Sequence, residues 1–147
     1  MRHWKKFLIP VVVISTMLLL LLFTPLLPLQ DPSAQDLAGE FSKPSSEHLL
    51  GQGENGVDVL AQVFWGARIS LLIGLCVVFI SAGVGLFLGS LSGYLQGPLD
   101  MLLMRIVDIF YAFPGILLVV TLSVFLGPST QNLVIALCLT SWISYAR

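Results

Sequence analysis

ISLLIGLCVVFISAGVGLFLGSLSGY, residues 69–94, runs for 26 residues without a charged side chain. A helix needs about 20 apolar residues to cross the hydrocarbon of a bilayer. In lipid every backbone polar group must find its partner inside the segment, which a helix achieves and an isolated strand does not. The stretch therefore predicts a transmembrane helix. Inside it Ser81, Gly85, Gly89 and Gly93 recur every four residues. That spacing lines one helix face with small side chains and lets a neighbouring backbone approach closely. Ser70 and Gly74 lie near the same stripe. The face serves tight helix packing or, alternatively, a sliding surface.

Working outward, residues 7–29 form a second uncharged run, 23 residues long. Residues 99–126 form a third apolar segment, with Asp100, Arg105 and Asp108 in its first half. A fourth begins near Asn132 and is still open at Arg147. The composition agrees with lipid as the main solvent. Of 147 residues, 56% are hydrophobic and 10% charged, with a mean hydropathy of +0.95, whereas soluble domains carry about 25% charged residues. The expected fold is all-α, a polytopic transmembrane bundle of about four helices, the fourth incomplete. A net charge of −1 gives no electrostatic footprint for nucleic acid.

Residues 30–67 are polar. Asp31-Pro32-Ser33 and Lys43-Pro44-Ser45-Ser46 are loop signals, and six carboxylates up to Asp58 face one lysine. Towards the end, Val59, Leu60, Val63, Phe64 and Ala67 have the spacing of an amphipathic helix, expected to lie on the membrane surface. The organisation reads as an N-terminal transmembrane helix over 1–30, an extracytoplasmic acidic loop over 31–67, and a membrane domain from 68 to 147. Arg2, Lys5 and Lys6 before the first helix keep the N-terminus in the cytoplasm under the positive-inside rule. Threading onward puts Arg105 and Arg147 on the inner side, against Lys43 and Arg68 outside. A cleaved signal peptide is the rival for the first segment, but the run is long for one and no good small-x-small site follows it.

Arg105 and Asp108, three apart, share a helix face. Charges inside a membrane need a partner or a wet cavity, so they either lock helices as an ion pair or line a solute path. Pro114 has no N–H for the carbonyl of Phe110, and with Gly115 it predicts a kink. Gly51-Gln52-Gly53-Glu54-Asn55-Gly56 spells G-x-G-x-x-G but follows no strand, so a flexible turn is expected rather than a dinucleotide site. His3 and His48 are the only histidines, which leaves Ser81, Ser90 and Ser92 without a base in the membrane. Cys76 and Cys138 lack metal-ligand spacing. There is no phosphate-binding G-x-x-x-x-G-K-[ST] loop. No catalytic residue, bound cofactor or metal is expected in this chain.

Leu50-Gly51, Glu54, Gly56 and Asp58-Val59-Leu60 open a longer pattern. Gly66 to Leu71 (GARISL), Gly93-Tyr94, Asp100, Leu103-Met104-Arg105, Val107-Asp108-Ile109, Ala112-Phe113-Pro114-Gly115, Leu126-Gly127-Pro128, Thr140-Ser141-Trp142 and Tyr145-Ala146-Arg147 continue it. Together these residues resemble the inner-membrane permease subunits of binding-protein-dependent ABC importers for dipeptides and oligopeptides, of the second permease type, with nickel importers as close relatives. The resemblance covers about residues 50–147. It implies six spanning helices, a second permease subunit, two cytoplasmic ATPase subunits that hold ATP and Mg, and an external solute-binding protein. It implies a bacterial inner membrane and alternating access. In the family's G-T-D-E-x-G-R-D stretch this chain has Gln52, Gly53 and Val57 where Thr, Asp and Arg are usual. The family's cytoplasmic coupling loop would follow Arg147, so the chain reads as the N-terminal portion of a permease, inactive alone. A membrane scaffold without a solute path, or a permease for nickel or another solute, is the alternative.

Overall fold

A computed structural model describes residues 4–147, with side chains from residue 7 onward. Arg2 and His3, and the side chains of Lys5 and Lys6 on which the orientation rests, lie outside the described residues. The fold is all-helical, with no strand among the described residues: α1 (Trp4–Phe23), α2 (Val59–Leu95), α3 (Pro98–Tyr111), α4 (Gly115–Leu126), α5 (Thr130–Ser141) and α6 (Ile143–Ala146). The described chain divides into two compact units after Leu72, with α2 running through the boundary.

In the first unit α1 ends at Thr24-Pro25 in a short 3-10 turn, because Pro25 cannot continue the hydrogen-bond ladder. The fully buried Thr24 hydroxyl donates back to the Leu20 carbonyl at 2.5 Å. Residues 27–58 follow as an irregular loop with 3-10 turns at Leu37–Gly39 and Glu54–Gly56. The amphipathic stretch is not set apart as a surface helix. It runs straight into the apolar span as one helix of 37 residues, ~55 Å at 1.5 Å per residue. No proline or turn signal separates the two parts, so the ladder propagates through.

In the second unit the third apolar segment is a broken pair, α3 and α4, bent by 85°, where a kinked span was expected. α4 and α5 form a helical hairpin around Gly127, whose φ of 90° reverses the chain. Ser129 Oγ accepts from the Asn132 amide at 3.1 Å. The Asn132 side chain donates to the carbonyls of Leu126 and Gly127 at 2.6 and 3.1 Å. One turn thus satisfies the end of α4 and the start of α5. A small core joins Val107 to Ile143 and Ala146, with Leu103, Phe110 and Trp142 packed on it. Phe110 meets Trp142 edge to face at 6.4 Å.

Two segments, Phe7–Leu26 and Val59–Leu95, are each long and apolar enough to cross a membrane, and they are only 6% and 11% buried within the protein. Most of their side chains are therefore open at the surface of this chain.

Candidate functional site

The break between α3 and α4 is built by three consecutive residues. The Ala112 amide closes α3 on the carbonyls of Asp108 and Ile109 at 3.0 and 3.2 Å, and Phe113 tightens onto Phe110 at 3.2 Å. Phe113 precedes a proline, which disfavours a further helical residue. Pro114 then takes extended backbone, φ −60° and ψ 117°, and its carbonyl starts α4 by accepting from Leu117 at 2.9 Å.

A cleft of about 500 Å³ opens beside this break, lined by Gly115, Ile116, Val120, Leu137, Thr140 and Ser144 among others. Its walls are aliphatic with hydroxyls on α5 and α6. The Thr140 hydroxyl lies 3.1 Å from the carbonyls of both Ala136 and Leu137. Such a surface is mostly apolar with a few hydroxyl groups, the make-up of a small-molecule cleft. Among the described residues no group of three His, Cys, Asp or Glu side chains converges. Cys76 is exposed, Cys138 is partly buried, and both are free thiols.

Arg105 and Asp108 are both exposed on α3, and no ion pair joins them. They point away from the face that packs through Leu103, Val107 and Phe110. Two other polar contacts organise this region. The buried Ser92 hydroxyl donates to Asp100 at 2.8 Å, tying the end of α2 to the first turn of α3. Arg147 stacks over the Tyr111 ring at 5.8 Å. Neither carries a sequence signature, because the partners lie across a turn or far apart in the chain.

The small face of α2 is used in part. A Cβ on Gly85 would strike the Trp142 carbonyl and Tyr145 Cβ, and one on Gly89 would strike the backbone of Ala146. α6 therefore sits against bare α2 backbone. Ser81 is 1% exposed with an unpartnered hydroxyl, whereas Gly93 meets nothing within 4 Å.

The irregular loop between α1 and α2 holds a site that sequence reasoning missed. Asp58, 6% exposed, precedes α2 and accepts from the Ala61 amide at 2.7 Å, an N-cap. Its other oxygen lies 2.9 Å from His48 Nδ1. Burial alone would raise the carboxyl's pKa. The Ala61 amide and His48, with help from the Leu60 amide, outweigh it and hold the pKa below its ordinary 3.8. The G-x-G-x-x-G stretch is tightly knit here rather than flexible. The buried Gln52 side chain donates to the Gly56 carbonyl at 2.8 Å and accepts from Ser42 at 2.7 Å. Gln52 also bridges to Asp58 through an isolated antiparallel pair. Gln52, one of the departures from the resembled pattern, is thus the side chain that closes this turn. Arg68 on α2 donates to the Leu21 carbonyl at 3.2 Å and lies over Trp65, capping the end of α1.

No family model matches the chain. Among curated proteins it is 40% identical over 136 residues to a probable D,D-dipeptide transport system permease protein, DdpC, of Escherichia coli K12, covering 92% of this chain and 46% of that protein. It is 33% identical over 146 residues to the oligopeptide transport system permease protein OppC of Bacillus subtilis 168, covering 99% and 48%. It is 39% identical over 104 residues to the glutathione transport system permease protein GsiD of Pectobacterium atrosepticum, covering 71% and 35%. The chain spans about half the length, or less, of the curated relatives it matches.

Proposed function

Because this chain is a homologue of peptide transport system permease proteins, we propose that it supplies the N-terminal portion of an ABC importer permease for dipeptides or oligopeptides. The observation that carries the reading is the 40% identity to a D,D-dipeptide permease across 92% of the chain. The two long bare apolar helices are in keeping with it, because a pore-forming subunit needs neighbours on those faces. In this reading the subunit lies in a bacterial inner membrane with its N-terminus in the cytoplasm. A second permease completes the pore, two ATPase subunits bind ATP and Mg, and an external binding protein delivers the solute. The chain itself catalyses no reaction. ATP-driven motion of its partners would alternate access to a path that passes the cleft at Pro114, where hydroxyls on Thr140 and Ser144 face the solute without gripping it.

Deleting the gene that encodes this sequence is expected to abolish ATP-dependent uptake of a labelled dipeptide, and reintroducing the intact gene to restore it. Unchanged uptake in the deletion strain overturns the proposal. A scaffold is distinguished by assembly: loss of uptake while the remaining subunits still co-purify marks a pore former.

A further inference from the structure

We propose that α3 does not cross the membrane but lies in its plane, as a strap at the boundary between headgroups and acyl chains. The inference concerns only how the second unit meets lipid and is independent of what is carried. It starts from the 85° bend between α3 and α4. On α4, Leu117, Val124 and Phe125 lie outside the cleft and are more than half exposed, and the helix carries no charge from Gly115 to Leu126. A helix apolar all round is a core or membrane-embedded helix. If α4 stands in the hydrocarbon, a near right angle lays α3 flat.

The side-chain pattern of α3 fits that attitude. At about 100° per residue, positions 101, 105, 108 and 112 share one face. Met101, Arg105, Asp108 and Ala112 are all exposed there. About half a turn away, Leu103, Val107 and Phe110 pack on the core. Between these two, Leu102, Ile106 and Ile109 form an exposed apolar flank, 59%, 41% and 61% accessible. A helix packed on one side, greasy on a second and charged on a third has the layout of an interfacial amphipathic helix. Were α3 to span, Arg105 and Asp108, which form no ion pair here, would each need a partner from another helix or a wet cavity. In the plane both reach water. The flank settles into the acyl boundary, and the charged face, with one cation and one anion, suits a zwitterionic headgroup layer. Asp100, the remaining charge on α3, is already engaged by Ser92.

The test uses the full chain with Cys76 and Cys138 replaced by alanine, reconstituted in phosphatidylethanolamine–phosphatidylglycerol vesicles. Single nitroxide labels are placed at Met101→Cys and Ala112→Cys, leaving Arg105 and Asp108 intact. Their depths are read by collision with oxygen and with a water-soluble nickel chelate. An in-plane helix gives the same shallow depth at both positions, with Leu102→Cys and Ile109→Cys both deeper by a similar step. A spanning helix places position 112 deeper than 101 by up to ~16 Å, from 11 residues at 1.5 Å. That gradient overturns the proposal, and so does free access of the chelate to all four positions. Leu99→Cys with Ile106→Cys repeats the apolar arm should either flank variant lose helicity.

Discussion

Two glycines, one in each unit, have a backbone carbonyl where a side chain would begin, and they arrive there by different physics. In the loop, a Cβ on Gly56 would fall on the carbonyl of Asp36; in the helical unit, a Cβ on Gly89 would fall on that of Ala146. Gly56 sits at φ +68°, in backbone that must find its hydrogen bonds from side chains such as Gln52. Gly89 sits in regular helix, whose amides are already satisfied, and it is small only to let α6 come close. The irregular loop backbone is held by buried polar side chains. The α2–α6 contact is held by the absence of a side chain.

That contrast orders the substitutions. Gly56→Ala combines a left-handed conformation, about 1–2 kcal/mol for a residue with a Cβ, with a collision against fixed backbone, about 1–3 kcal/mol. It should cost most, read as lost hydrogen-exchange protection across residues 51–58. Gly89→Ala meets the collision alone, offset by up to ~1 kcal/mol of helix propensity, and should loosen α6 while sparing the loop. Gly93→Ala meets nothing and should be neutral or slightly stabilising. Equal losses at positions 89 and 93 would break the comparison, because the close contact would then not decide the outcome.

Next in size are the loop's polar anchors. His48→Ala leaves a buried carboxylate with one partner fewer, about 1–3 kcal/mol. Asp58→Ala removes the helix cap, about 0.5–2 kcal/mol, but takes the buried charge away with it. The expectation is that the double variant costs less than the sum of the two single variants, measured by exchange of the Ala61 and Gln62 amides. Strict additivity would mean that the 2.9 Å contact carries no coupling.

The same contrast explains what was legible beforehand. The spans over 7–29 and 69–94 were legible because a missing charge is a local, countable signal. Pro114 announced a break because a proline acts on its own neighbours, but the 85° angle depends on how α4 and α5 pack and has no local mark. The glycine stripe showed its phase without its partner. Trp142, Tyr145 and Ala146 cover Gly85 and Gly89, and nothing described lies within 4 Å of a Cβ on Gly93. His48 and Asp58 stayed hidden because ten residues of irregular loop separate them, with no periodicity to bring them together. Arg105 and Asp108 are both exposed on α3, yet three-residue spacing does not make a pair, and none joins them.

The smallest effect expected is acid sensitivity confined to one unit. Asp58 is held below its ordinary pKa of 3.8 in the folded loop, so folding favours its ionised form. By linkage, the stabilisation this provides is complete above the unfolded value and is lost as pH falls through the lower, folded value. Protection of the amides around Asp58 should persist at pH 5 and erode only below 3.8. Asp58→Asn, which keeps an oxygen for the Ala61 amide but has no proton to gain, should remove that step. The contact of Gly85 and Gly89 with Trp142, Tyr145 and Ala146 contains no carboxylate and serves as the control in the same sample. If its protection falls in step with the loop over this window, acid acts on the protein as a whole, and the division of labour between polar anchors and bare backbone fails.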